Sequence, residues 1–151
     1  MLDISKLKLL RNETGISIAL CKKALEESNN DIKRAKKLLA GWGIEKVKDK
    51  MGRITSEGSI FSYVHHNKKI ASLIEILCET DFVAKNLELQ KLGQELSMQI
   101  ASIPTKNVEE LMNQDYIRDP SKKITNLIRE AIVKFGENIK IGRFLRWELG
   151  E

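Results

Sequence analysis

His65 and His66 are the only histidines in the chain, and Cys21 and Cys78 the only cysteines. These side chains are the ones best suited to metal ligation or nucleophilic attack. Adjacent residues on a strand point to opposite faces, so the two histidines are not expected to ligate one metal together. The cysteines stand 57 positions apart with no Cys-x-x-Cys, so neither a zinc knuckle nor a disulfide framework follows, and both read as small buried hydrophobes. Gly-x-Ser-x-Gly, a phosphate-binding glycine-rich loop and His-Glu-x-x-His are all missing. With no histidine in a fixed relation to Cys78, the expectation is a non-enzyme with no metal and no cofactor. Trp42, Trp147, Phe61, Tyr63 and Phe82 are too sparse, at 5% aromatic content, for a base-stacking platform, and core packing is their default role. One segment is odd for a bland domain: Cys78-Glu79-Thr80-Asp81-Phe82-Val83-Ala84-Lys85-Asn86 places an acid beside an aromatic at a junction between elements. Taken by itself, Phe82 reads as a core residue and Asp81 as the cap of a helical turn.

The elements around this junction follow from periodicity. Ile4, Leu7 and Leu10 recur at helical spacing after Asp3, and Thr14-Gly15 ends that helix. Ser17 caps a second helix with Ile18, Cys21, Leu25 and Ser28 on one face and Ala24 beside them. Asn29-Asn30-Asp31 breaks it, and Asn30 or Asp31 caps a third, with Ile32, Ala35, Leu38 and Leu39 inward and Lys33, Arg34, Lys36 and Lys37 outward, stopped by Gly41. Residues 1–41 thus form a three-helix module, 42–56 a linker with or without some helix in it, and 57–151 a single core domain. In that core the period changes. Ile60, Ser62 and Val64 alternate with Ser59, Phe61, Tyr63 and His65, a turn follows at His66-Asn67-Lys68-Lys69, and Ile70 to Cys78 forms a well-buried second strand. Asn86 caps a helix carrying Leu87, Leu89, Leu92, Leu96 and Ile100 and ending before Pro104. A short helix over Val108 to Met112, a loop over Tyr116 to Pro120, a helix from Ile124 to Phe135 stopped by Gly136, and a third strand between Asn138 and Leu149 complete it. The fold class is α+β: a three-stranded antiparallel sheet with helices on one side. The other face, whether it carries Ile60, Ser62 and Val64 or Phe61 and Tyr63, is left open unless something covers it.

An apolar content of 42% with 31% charged residues and only 2 Pro describes a globular chain, not a disordered one. No apolar run approaches the roughly 18 residues of a membrane span, and Met1 leads directly to Asp3 and Lys6, so a cytoplasmic protein is expected. The net charge of +5 is polarised: residues 1–53 hold 13 Lys and Arg against 7 Asp and Glu, whereas residues 54–151 hold 13 against 14. A basic first third suits an acidic partner, protein or nucleic acid, or simply a solvated lysine face.

Thr80-Asp81-Phe82-Val83-Ala84-Lys85-Asn86 resembles the signature of the elongation factor Ts family, the guanine-nucleotide exchange factors for elongation factor Tu. Leu10-Arg11-x-x-Thr14-Gly15 followed by Cys21-Lys22-Lys23-Ala24-Leu25 resembles the family's N-terminal module, which implies a ubiquitin-associated-like fold for residues 1–41. Glu57-Gly58, Tyr63-x-His65, Tyr116-Ile117, Gly136-Glu137-Asn138-Ile139 and Arg143-Phe144 resemble its core. Departures are Ile16, Ser17, Ile18, Ala19 and Leu20, where small residues and methionines are usual, Gly142 in place of an arginine, and Lys68-Lys69 in a turn that is commonly richer in glycine. Longer members carry two related core halves.

The resemblance implies that Thr80, Asp81, Phe82 and Val83 act on elongation factor Tu, with Phe82 as a lever entering an apolar crevice of its GTPase domain. Elements that hold magnesium and the phosphates would be displaced there, and GDP released. Arg11, Ile18, Ala19 and Lys22 match positions through which the N-terminal module touches the same partner. A short form would pair its open sheet face in a homodimer through residues 57–151. The competing reading is a small basic protein that binds ribosomes or RNA, with the first module as its electrostatic foot.

Overall fold

A computed structural model describes residues 1–151, the side chain of Lys46 excepted. The chain opens with helices α1 (Ile4–Thr14), α2 (Ile18–Glu27) and α3 (Ile32–Lys50). Each start is marked by a side chain that accepts otherwise orphaned N–H groups: Asp3 from Ser5 and Lys6, Ser17 from Leu20, Asp31 from Arg34. Gly15, at φ 68°, ends α1 in the left-handed conformation that a side chain resists. Strands β1 (Glu57–Val64) and β2 (Ile70–Cys78) form a hairpin, followed by α4 (Asp81–Ala84), α5 (Leu87–Ser102), α6 (Val108–Asn113), β3 (Asp115–Tyr116), β4 (Asp119–Lys123), α7 (Ile124–Phe135) and β5 (Lys140–Glu148). The main sheet is antiparallel in the order β1-β2-β5, so the architecture is α+β, with three N-terminal helices ahead of a three-stranded antiparallel sheet. Among the described residues, no helix is long and apolar enough to cross a membrane.

Two cores form. Leu10, Cys21, Ala24, Leu25, Ala35 and Leu39 pack the first three helices together. The larger core joins Ile74, Ile76 and Cys78 of β2 to Leu89, Leu96 and Ile100 of α5 and to Ile124, Ile128 and Ile132 of α7. Phe61 faces inward, flat against Gly93, where an ideal Cβ would stand 2.3 Å from its ring. Ile60, Val64, Leu73, Leu145 and Trp147 therefore line the opposite, exposed face. Opposite Glu75, β5 accommodates an extra residue, and the Glu75 carboxylate lies across Gly142 and pairs with Arg143 at 3.5 Å. A Cβ at 142 would stand 2.3 Å from Glu75 Oε1, so a side chain there requires that carboxylate to swing aside.

Two local expectations fail, each to tertiary packing. Gly41 does not stop the third helix, which runs on through Gly43 to Lys50. Interior glycines cost a helix about 1 kcal/mol each, but Gly43 lets α3 approach α7, its ideal Cβ being 3.0 Å from Val133, and Val47 is buried in the larger core. Residues 42–50 of the expected linker are thus the last part of α3, a helical arm between the two cores. The loop expected over Tyr116 to Pro120 is instead part of the β3–β4 hairpin. Fully buried Gln99 organises it: its Nε2 donates to Gln114 Oε1 (3.0 Å) and to the Asp115 carbonyl (3.1 Å), and its Oε1 accepts from the Ile117 N–H (3.0 Å).

Candidate functional site

The segment Thr80 to Val83 sits where β2 leaves the sheet. Burial pulls Val83 and Ala84 into the larger core, and a four-residue helix then turns the side chain between Asp81 and Val83 the other way. Phe82 is 89% exposed, against the expectation that, read alone, it belongs to the core. Asp81 is exposed as well and pairs with Lys85 at 3.0 Å, one turn on. The cap of α4 is Thr80, not Asp81: its Oγ1 accepts from the Val83 N–H at 3.4 Å.

Isolated helical turns do not hold themselves, and this one is held at both ends. Ser59 Oγ of β1 donates to the Ala84 carbonyl at 2.9 Å. At the other end the Glu137 carboxylate accepts from the backbone N–H groups of Glu79 (3.1 Å) and Thr80 (3.0 Å) and from the Thr80 hydroxyl (2.6 Å). Glu79 returns the interaction, accepting from the Asn138 N–H at 2.7 Å. Cys78 is buried beneath, its thiol donating to the Thr80 carbonyl at 3.2 Å, and its pKa is raised by burial and by the nearby Glu137 charge. Glu137 and Asn138 lie 57 to 59 positions away in sequence, and no local pattern ties them to the segment.

The N-terminal group stands elsewhere on the molecule. Arg11 lies in the last turn of α1, and Ile18, Ala19 and Lys22 occupy the first turn and a half of α2, all four exposed. Inward packing of Cys21, Ala24 and Leu25 fixes which face of α2 these residues present. The module touches the core at a second place, where Gly15 abuts the Lys134 side chain, itself paired with Glu88 at 3.3 Å. His65 and His66 lie in the β1–β2 connection and not on a strand, and their rings are 4.1 Å apart, so opposite pointing does not separate them. The Tyr63 hydroxyl lies 2.7 Å from His65 Nδ1, and among the described residues no group of three His, Cys, Asp or Glu could hold a metal.

An exposed aromatic on a short, clamped turn and a separate exposed patch on a basic module are features that the surface of a macromolecule could recognise. The family model described as elongation factor TS matches residues 79–151, beginning one residue before Thr80. Elongation factor Ts of Thermosipho melanesiensis is 36% identical over 100% of both chains. That alignment spans 196 positions against 151 residues here, so the match runs end to end around internal gaps. The protein of the same description from Coprothermobacter proteolyticus is 34% identical over 99% of each chain. The one from Aquifex aeolicus is 40% identical over 97% of this chain and 52% of its own.

Proposed function

The chain belongs to the elongation factor Ts family, and on that premise we propose that it binds elongation factor Tu carrying GDP and promotes release of the nucleotide so that GTP can reload. No bond is made or broken in this reaction, so the chain acts as an exchange factor and not as an enzyme in the usual sense. Exchange is a matter of coupling. A protein that binds the nucleotide-free partner better than the nucleotide-bound one weakens nucleotide binding by the same factor.

The observation that carries the reading is the exposure of Phe82 on its clamped turn. A ring held in water is an unspent hydrophobic contact, and seating it in an apolar crevice of the GTPase domain supplies free energy to displace what occupies that crevice. Elements of the partner that hold magnesium and the phosphates are displaced, and the β-phosphate loses its main counter-charge. Asp81 and Thr80 fix the turn, and Val83 anchors it to the core. Arg11, Ile18, Ala19 and Lys22 grip the GTPase domain separately, with the basic first third steering association. The exposed sheet face bearing Ile60, Leu73, Leu145 and Trp147 supports pairing of two copies across a two-fold axis. The cytoplasm, where translation runs, is the setting this function implies.

The test is stopped-flow release of labelled GDP from elongation factor Tu with and without the chain. A rate that rises with chain concentration to a plateau is expected. Release unaffected by the chain, with steeply salt-dependent binding to RNA in its place, would favour the ribosome- or RNA-associated reading.

A further inference from the structure

We propose that the turn Gly136-Glu137-Asn138 is a positioning hub that aims Phe82 and ties its mount to the end of the α3 arm, so that the N-terminal grip and the lever act as one rigid body. This inference rests on the lever reading of Phe82. The turn reaches two otherwise separate structures. Toward the lever, Glu137 accepts three hydrogen bonds from Glu79 and Thr80, and the Asn138 N–H donates to Glu79. Toward the arm, Lys50 Nζ donates to the Gly136 carbonyl at 2.5 Å, and Asn138 Nδ2 donates to the carbonyls of Met51 (3.3 Å) and Arg53 (3.0 Å). Arg53 closes the circuit on Glu79 at 3.7 Å.

Phe82 has almost no packing of its own, so its direction is inherited from the backbone of α4. That helix has four residues, and its cap, Thr80, is oriented by a carboxylate from across the fold. Hydrogen bonds to a charged acceptor are the stronger kind, and three converging on Glu137 from consecutive residues define the entry angle of the turn. Asn138 is 4% exposed yet lies outside the hydrophobic clusters, and its amide is committed to the arm. Pre-setting both contacts spares the ordering cost at the moment of docking, which is where a positioning residue affects rate.

The experiment measures GDP release from elongation factor Tu against chain concentration for the wild type, Phe82→Ala, Glu137→Ala, Glu137→Gln and the Phe82→Ala/Glu137→Ala double variant, below each variant's unfolding temperature. Glu137→Ala should lower the plateau rate about tenfold, the scale of one charge-assisted hydrogen bond, while moving the half-saturating concentration less than about threefold because the module still grips. Glu137→Gln keeps an oxygen for the two backbone donors and should recover most of the rate. The double variant should match Phe82→Ala within about twofold, since a residue acting through Phe82 has nothing left to act on. A folded Glu137→Ala protein with a wild-type plateau, or effects that multiply in the double variant, overturns the hub while leaving the lever standing. A wild-type plateau for Phe82→Ala removes the lever, and the hub with it. Should Glu137→Ala fail to fold, Glu137→Asp, which keeps the charge but withdraws the carboxylate from Glu79 and Thr80 while leaving the Thr80 cap of α4 in place, is substituted with the same expected direction of plateau loss, and a wild-type plateau there overturns the hub.

Discussion

Replacing Phe82 with alanine separates a residue that packs from a residue that pushes, because the structure gives the two roles different magnitudes. A buried phenylalanine truncated to alanine costs about 3–5 kcal/mol of stability. Phe82 is 89% exposed, so its truncation deletes almost no burial and should move stability by no more than about 0.5 kcal/mol. On the partner the arithmetic reverses. On the order of 100 Å² of ring taken out of water at about 25 cal/mol per Å² is worth about 2.5 kcal/mol. Fixing the side chain costs about 0.5 kcal/mol, leaving about 2 kcal/mol, or about thirtyfold. The assay is labelled-GDP release from elongation factor Tu, with thermal unfolding of the free variant recorded beside it. Leu96→Ala is the opposite control: Leu96 is fully buried, so about 2–5 kcal/mol of stability should go while exchange per folded molecule stays. A folded Phe82→Ala protein that releases GDP at the wild-type rate refutes the mechanism, and a collapse of its unfolding temperature refutes the exposure argument.

The open sheet face should make the wild type a dimer of twice 17.2 kDa by light scattering at tens of micromolar, and Leu73→Glu or Trp147→Glu should return the monomer mass; a monomeric wild type ends the pairing idea. Removing residues 1–40, and not 1–50, keeps Val47 in the larger core, so the fragment should fold, bind elongation factor Tu more weakly than the full chain, and lose less affinity on adding salt; equal affinities would reduce the basic module to a solvated surface. Burial and the hydrogen bond to Glu95 push the Tyr116 phenol up to about 12 from its ordinary value of 10.0. The folded state thus holds this proton longer than the unfolded chain does, and the contribution is complete below pH 10 and lost between pH 10 and about 12. Denaturant titrations should show Tyr116→Phe declining less steeply over that window, and identical slopes would contradict the burial.

Local chemistry was legible wherever one side chain decides one backbone group. Asp3, Ser17, Asp31 and Asn86 cap the helices they precede, and Gly15 and Gly136 end theirs at positive φ, because these effects act within three or four residues. Gly41 and Gly43 misled for the converse reason. Their helix-breaking tendency is a local preference of about 1 kcal/mol, and the packing of α3 on α7, with Val47 in the core, outweighs it through contacts nearly ninety positions apart in sequence. Phe82 shows a different limit. Composition puts an aromatic inside, and nothing in its neighbours alone says otherwise; the ring is outside because Val83 and Ala84 claim the inward side of a helix too short to bury both faces. The clamp by Glu137 was not legible: Gly136-Glu137-Asn138-Ile139 stood out only as a motif resembling the family's core, and its bonds to Glu79 and Thr80 exist only because the fold brings the two segments together.

The continuity of α3 changes how the two halves of the proposed interface cooperate. A flexible linker of fifteen residues would let the module and the lever search separately, and the second contact would form at an effective concentration set by the linker's spread. A helical arm anchored at Val47 and tied by Lys50, Met51 and Arg53 to the lever's own mount removes that search. In the proposed complex, engagement of Arg11, Ile18, Ala19 and Lys22 would present Phe82 in a single orientation, so that little of its contact energy would be spent on ordering. In the proposed mechanism that energy would be available for displacing the partner's nucleotide-holding elements. On this proposal, steering by the basic module would raise the rate of encounter, whereas the path from α3 through Asn138 and Glu137 to Thr80 would raise the fraction of encounters in which the ring is already aimed.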